Sequence, residues 1–149
     1  MINAGEMEYL LQQTNSHVRA FRKRSDEIAE SEAVRLLGIE YSSSHMDSGY
    51  NLVRHTPSGV QRLKVKGVML PAPALLGPIG PIDISREWDA VLLVLLNDAL
   101  NALSIFEAPR ISVLATHPGS DANPINEIDT LDVARFKSLP LAHQVWPLT

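Results

Sequence analysis

Three cations, Arg62, Lys64 and Lys66, recur at every second position of one short segment. If that segment is extended, they share a face and Leu63 and Val65 take the other. A row of cations on a strand can neutralise phosphate charge, and Lys66 could stabilise charge developing on a phosphate. The same row could instead be a solvated face that protects a sheet edge. Upstream lie Glu27 and Glu30, three apart and therefore neighbours on one helical surface. Glu30, flanked by Ala29, Ala33 and Val34, is the candidate to point at a sheet and bind a metal. Glu27 fits a first helical turn, where the macrodipole favours acids. His45, Asp47, Asn51 and His55 hold imidazole, carboxylate and amide groups that divalent ions accept. Their spacing matches no zinc motif, and loop polarity also explains them. His17, His117 and His143 are isolated.

Other chemistries are excluded by what the chain lacks. It has no Cys, so disulfides, thiolate catalysis and Cys-based zinc sites are out, and a cytoplasmic location is expected. There is no Gly-x-Ser-x-Gly turn to pair with His55, no Walker A loop and no Gly-x-Gly-x-x-Gly. Residues Met1 to Gln13 lack a signal-peptide layout, and the longest apolar run, Ala90 to Leu96, is too short to span a membrane. The net charge of −4 argues against a protein that coats nucleic acid through bulk charge. The positive charge is nevertheless clustered, in Arg19, Arg22, Lys23 and Arg24 and again in Arg62, Lys64 and Lys66.

The elements that would carry these residues can be read from punctuation and period. A first helix is expected from about Ala4 to Ala20, with Met7, Leu10, Leu11 and Val18 on one side. Ser25 is the expected N-cap of a second helix, which Gly38 ends. A short strand at Ile39 to Tyr41 leads to the polar loop Tyr41 to Ser48. Thr56-Pro57-Ser58-Gly59 then turns a hairpin of Tyr50–His55 with Val60–Val68. The segment Val68 to Pro81 is Pro-rich and non-helical. Trp88 leads into Ala90–Leu96, expected as a buried central strand with Asp89 at its entry. Leu103 to Glu107 returns as a strand, and Pro109 opens a short helix through Leu114. Thr130 or Asp132 caps a last helix through Phe136. The order is α, β, β, β, β, α. It predicts one α/β (α+β) domain over residues 1–149, a mixed central sheet of about four strands flanked by helices.

From about Phe21 to Phe106 the chain resembles the PD-(D/E)XK nuclease superfamily, and within it a group of small bacterial proteins. The resemblance rests on several short motifs in order. They are the basic segment Arg22 to Arg24, the helix Ser25-Asp26-Glu27-Ile28-Ala29-Glu30 and the strand start Gly49-Tyr50-Asn51. Lys64-Val65-Lys66-Gly67 and the strand entry Trp88-Asp89-Ala90 follow, and the tail Val133-Ala134-Arg135-Phe136-Lys137 is also similar. It implies a restriction-endonuclease-like core with catalytic positions at Glu30, Asn51, Lys64 and Lys66. Two of these depart from the superfamily pattern. Asn51 stands where a metal-binding aspartate belongs, and Lys64 where an acid or Gln belongs. A divalent metal draws most of its attraction from carboxylates.

The resemblance therefore implies a nuclease-like domain whose catalytic set is degenerate, binding nucleic acid or a protein partner and needing no cofactor. Arg62, Lys64 and Lys66 would contact phosphates of DNA or RNA, helped by Arg22 and Arg24. An active Mg²⁺-dependent endonuclease would need Glu30 and Asp47 as metal ligands with Lys66 as the cation. An immunity-type interaction domain would keep the fold and lose the groove.

Overall fold

The computed structural model describes residues 3–43, 49–70, 79–116, 127–128 and 130–148. The chain opens with one long helix, α1 (Ala4–Leu37). This corrects the expected break between two helices. No Gly or Pro interrupts residues 6–37, so nothing stops propagation once the helix is nucleated. Asn3 supplies the cap, accepting from the Glu6 N–H while Glu6 reaches back. Ser25, expected as an N-cap, is a buried mid-helix residue. Gly38 ends the helix as expected, in the left-handed region (φ 66°) with its N–H on Val34 O.

The strands are β1 (Glu40–Tyr41), β2 (Leu52–Thr56), β3 (Gly59–Met69), β4 (Ile82–Asp83), β5 (Ala90–Leu96), β6 (Ala102–Pro109), β7 (Glu127–Ile128) and β8 (His143–Trp146). The helices α2 (Arg110–Leu114) and α3 (Val133–Lys137) flank them. Among the described residues six strands form one mixed sheet in the order β1-β2-β3-β5-β6-β8, where about four were expected, and β4 pairs with β7 in a separate ribbon. Only the β3–β5 pairing within the six-stranded sheet is parallel. The expected hairpin is present, with Leu52 opposite Leu63 and Thr56 opposite Gly59.

β5 is buried along its whole length because both of its faces are covered. Leu92, Val94 and Leu96 join Leu63, Val65, Ala29 and Ala33 beneath α1. Val91, Leu93 and Leu95 join Ile82, Trp88, Ile128 and Phe136 on the other face. Asp132, one of two expected caps, accepts from Arg135 N–H and starts α3. Asp89 does stand at the entry to β5. Its carboxylate accepts from the Arg62 backbone N–H at 2.7 Å and from the Arg62 guanidinium. Arg110 stacks over the Trp88 ring, 4.4 Å from its centroid. Among the described residues no helix is long and apolar enough to cross a membrane.

Arg54 on β2 makes a two-pronged contact with Glu107 on β6, at 2.7 and 2.8 Å, and also donates to Gln61. Glu107 is largely buried, so Arg54→Met would leave a charge without its partner. A loss of about 2 kcal/mol is expected in urea unfolding, with the fold retained; a change within about 0.5 kcal/mol would show the bridge to be idle.

Candidate functional site

The site forms where β2 stops and β3 runs on. Leu52, the first residue of β2, lies opposite Leu63, and Asn51 N–H donates to Leu63 O at 2.9 Å. Beyond that point two side chains satisfy the edge of β3. Asn51 Oδ1 accepts from Val65 N–H at 2.9 Å, and Asp26 Oδ1 accepts from Gly67 N–H at 2.8 Å. Asp26 reaches this edge because α1 crosses β3 closely. A Cβ on Gly67 would collide with the backbone carbonyl of Ser25 and with Ala29 Cβ. Glycine is therefore required here for the close approach.

A cleft of about 640 Å³ opens beside this edge, and its lining includes Arg22, Lys23, Asp26, Glu30, Lys64 and Lys66. Glu27, Gly49, Asn51 and Pro81 complete the wall. All four expected catalytic positions, Glu30, Asn51, Lys64 and Lys66, thus line one cleft although three separate segments supply them. Arg22 lines it too. Arg24 is exposed and lies outside the lining. Arg62 also lies outside it: its guanidinium is held by Glu87 at 2.8 Å and by Asp89 at 3.1 Å. The cationic row therefore divides, one member tying β3 to the entry of β5 and two facing the cleft. Asp47, the other expected metal ligand, lies outside the described residues, as do His45 and His117.

Lys66 is not the solvent-facing residue that alternation alone suggests. It is only 7% exposed, and its Nζ lies 3.2 Å from Asp26 Oδ2. Gly80, with φ at 116°, passes directly over it, so close that a Cβ there would stand 3.7 Å from Lys66 Nζ. Burial holds the Asp26 carboxyl above its usual range, outweighing the lowering by Lys66 and by the Gly67 N–H. Burial likewise pulls the Lys64 ammonium below its usual range, aided by the like charge on Lys66. Asp26, Glu30 and Asp83 oppose that shift, so Lys64 is a cation set among carboxylates. Clustered, environmentally shifted groups of this kind in a cleft mark functional sites more often than chance.

Asp26 is the cleft residue that sequence reasoning missed. The available signal was its spacing of four from Glu30, which puts both on one helical face. With Ser25 as an N-cap, Asp26 would be a first-turn acid like Glu27; in the continuous α1 both are mid-helix residues that line the cleft. Among the described residues no group of three or more His, Cys, Asp or Glu is placed to hold a metal ion. No protein-family model matches the chain, and no curated protein matches it.

Proposed function

We propose that this chain is a PD-(D/E)XK-like domain whose cleft has exchanged metal-dependent cleavage for binding of nucleic-acid phosphates. The observation that carries this reading is the joint lining of one cleft by Glu30, Asn51, Lys64 and Lys66. The donor set does not fit Mg²⁺. Asn51 is neutral and its oxygen is engaged by Val65 N–H, while Lys64 brings positive charge to the same cleft. Such a cation repels a second one. The endonuclease reading depends on Asp47, and Asp26, the described carboxylate that shares the face of Glu30, is already engaged by Lys66 and by Gly67 N–H. What remains is a wall with four cations, Arg22, Lys23, Lys64 and Lys66, against three carboxylates, Asp26, Glu27 and Glu30, a small positive balance that suits phosphate and is blind to base identity. A nucleic-acid partner and the absence of Cys both suit a cytoplasmic location.

Binding to duplex DNA, single-stranded DNA and RNA should be weak, tolerant of sequence and steeply dependent on salt. Fluorescence anisotropy across a salt series measures this. Lys64→Ala should reduce the log–log slope for duplex DNA by about 0.9, the contribution of a single phosphate contact. Titration with Mg²⁺ or Mn²⁺ should show no micromolar saturation, and incubation with either metal should leave the nucleic acid intact. Absence of binding at low salt would remove nucleic acid and leave a protein-interaction domain as the surviving account.

A further inference from the structure

The lysines of this chain are not spread over its surface. It has four, and three of them, Lys23, Lys64 and Lys66, line the cleft. The fourth, Lys137, lies over the Phe106 ring, 4.9 Å from its centroid. Elsewhere Arg35, Arg54, Arg62 and Arg86 each hold a carboxylate. A guanidinium grips phosphate with two prongs and keeps its proton, so a cleft built only to hold phosphate is served best by arginine. Lysine adds a property that arginine lacks, an amine that can shed its proton and attack carbon.

The two lysines of β3 differ in their engagement. They share one face two residues apart, roughly 6–7 Å along the strand. Lys66 Nζ is tied to Asp26 at 3.2 Å. Lys64 Nζ enters no hydrogen bond or ion pair among the described residues. Burial and a neighbouring like charge both favour a neutral amine, and both act on Lys64. Glu30 lines the same cleft and lies within electrostatic reach of Lys64.

We propose that Lys64 is an amine nucleophile for the C1′ aldehyde of a deoxyribose that has lost its base, and that the cleft opens a DNA strand at such a site. The proposal rests on the reading of the cleft as a phosphate site and names its substrate. An intact nucleoside holds its sugar as a closed glycoside, so a strand offers an aldehyde only where a base is missing. A sugar without a base has no stacking to give up and swings out of the duplex at little cost. The cleft, at about 640 Å³, has the size of a small-molecule site and suits one such unit rather than a stacked duplex. The Lys64 amine adds to C1′, and loss of one water with uptake of a proton from solvent leaves an iminium. Glu30 takes a proton from C2′, the 3′-phosphate departs with the C3′–O electron pair, and a C2′=C3′ double bond forms. One water then hydrolyses the C1′–N bond and restores Lys64. No oxidant or reductant takes part.

An oligonucleotide with one abasic site, incubated with the full chain and sodium cyanoborohydride, should give a covalent adduct, because hydride fixes the iminium as a stable amine. Peptide mass mapping should place it on Lys64 and not on Lys23, Lys66 or Lys137. Lys64→Arg should form none. Glu30→Gln should still be trapped but should cleave, without the hydride, about a hundredfold more slowly. A tetrahydrofuran analogue of the abasic site cannot open to an aldehyde, so its binding in fluorescence anisotropy reads phosphate recognition alone. Trapping and cleavage are scored per strand bound, which separates lost chemistry from lost binding. Binding of the analogue without trapping of the aldehyde overturns the proposal and leaves the phosphate reading standing. An adduct spread over the other lysines, or trapping by Lys64→Arg equal to the parent, does the same. Unchanged cleavage by Glu30→Gln overturns the part given to Glu30. Failure of the parent to bind even the analogue overturns both readings.

Discussion

Lys66→Met is expected to destabilise the fold by about 3–5 kcal/mol at neutral pH, a large share of the 5–15 kcal/mol typical of a domain. The Asp26 carboxylate would lose its ammonium partner at 3.2 Å while remaining tied to Gly67 N–H. Asp26→Asn/Lys66→Met should cost less than Lys66→Met alone, because an amide keeps the acceptor and removes the charge. Linkage gives a second signature. The folded-state pKa of Asp26 already lies above its ordinary 3.8, so between those two values the native state binds more protons than the unfolded chain. Its contribution to stability therefore falls as pH rises through that window. Without Lys66 the carboxyl is pushed higher still. The deficit of Lys66→Met should thus shrink as pH falls from neutral toward the ordinary carboxylate value. Urea unfolding of parent and variants at several pH values measures both effects. A deficit that is small or independent of pH would show that the pair contributes little.

Gly67→Ala is the second large effect. The added methyl would meet the Ser25 carbonyl and Ala29 Cβ, and the first of these is helix backbone that cannot rotate away. Relief requires α1 to lift from β3, which separates Ala29 and Ala33 from Leu63 and Val65. The expected loss is about 3 kcal/mol or more, at the upper end of overpacking costs. Asp26 would withdraw from the Gly67 N–H at the same time, so binding to phosphate should change with stability. Gly5→Ala is the control. Its Cβ would find only Asn3 Oδ1 at 3.5 Å, and helix propensity favours alanine. Gly67→Ala unfolding within about 1 kcal/mol of the parent would contradict the close-approach account.

Punctuation made much of the fold legible in the sequence. Gly38, the Pro57–Gly59 turn, Pro109 and Asp132 each act through the local backbone, and each does what its chemistry predicts. Ala90–Leu96 was legible because a strand buried on both faces has no polar positions. The uninterrupted course of α1 was not. Ser25 has the side chain of a cap, but α1 runs through it and packs it against Gly67. The β4–β7 ribbon has two residues in each strand and is specified by its partner, so no local period announces it. β8 is similar: His143–Trp146 becomes a strand because β6 offers an edge. In the site, alternation correctly placed Lys64 and Lys66 on one face. It could not show that Gly80 and Asp26 close over one of them, because that depends on chain far away in sequence.

The amide at Asn51 has a further consequence. What the fold asks of that side chain is a single oxygen acceptor for Val65 N–H, and a carboxylate would serve equally. Folding is therefore indifferent to the charge at this position, while the chemistry of the cleft is not. In the genetic code Asn and Asp codons differ by one A-to-G change, and so do Lys and Glu codons. Asn51→Asp and Lys64→Glu would thus each need a single base substitution to add a carboxylate beside Glu30. The first step keeps the hydrogen bond that places position 51, so inheritance could add negative charge to this site without rebuilding the strand edge beside it, whereas the second would set a fourth carboxylate beside Asp26, Glu30 and Asp83.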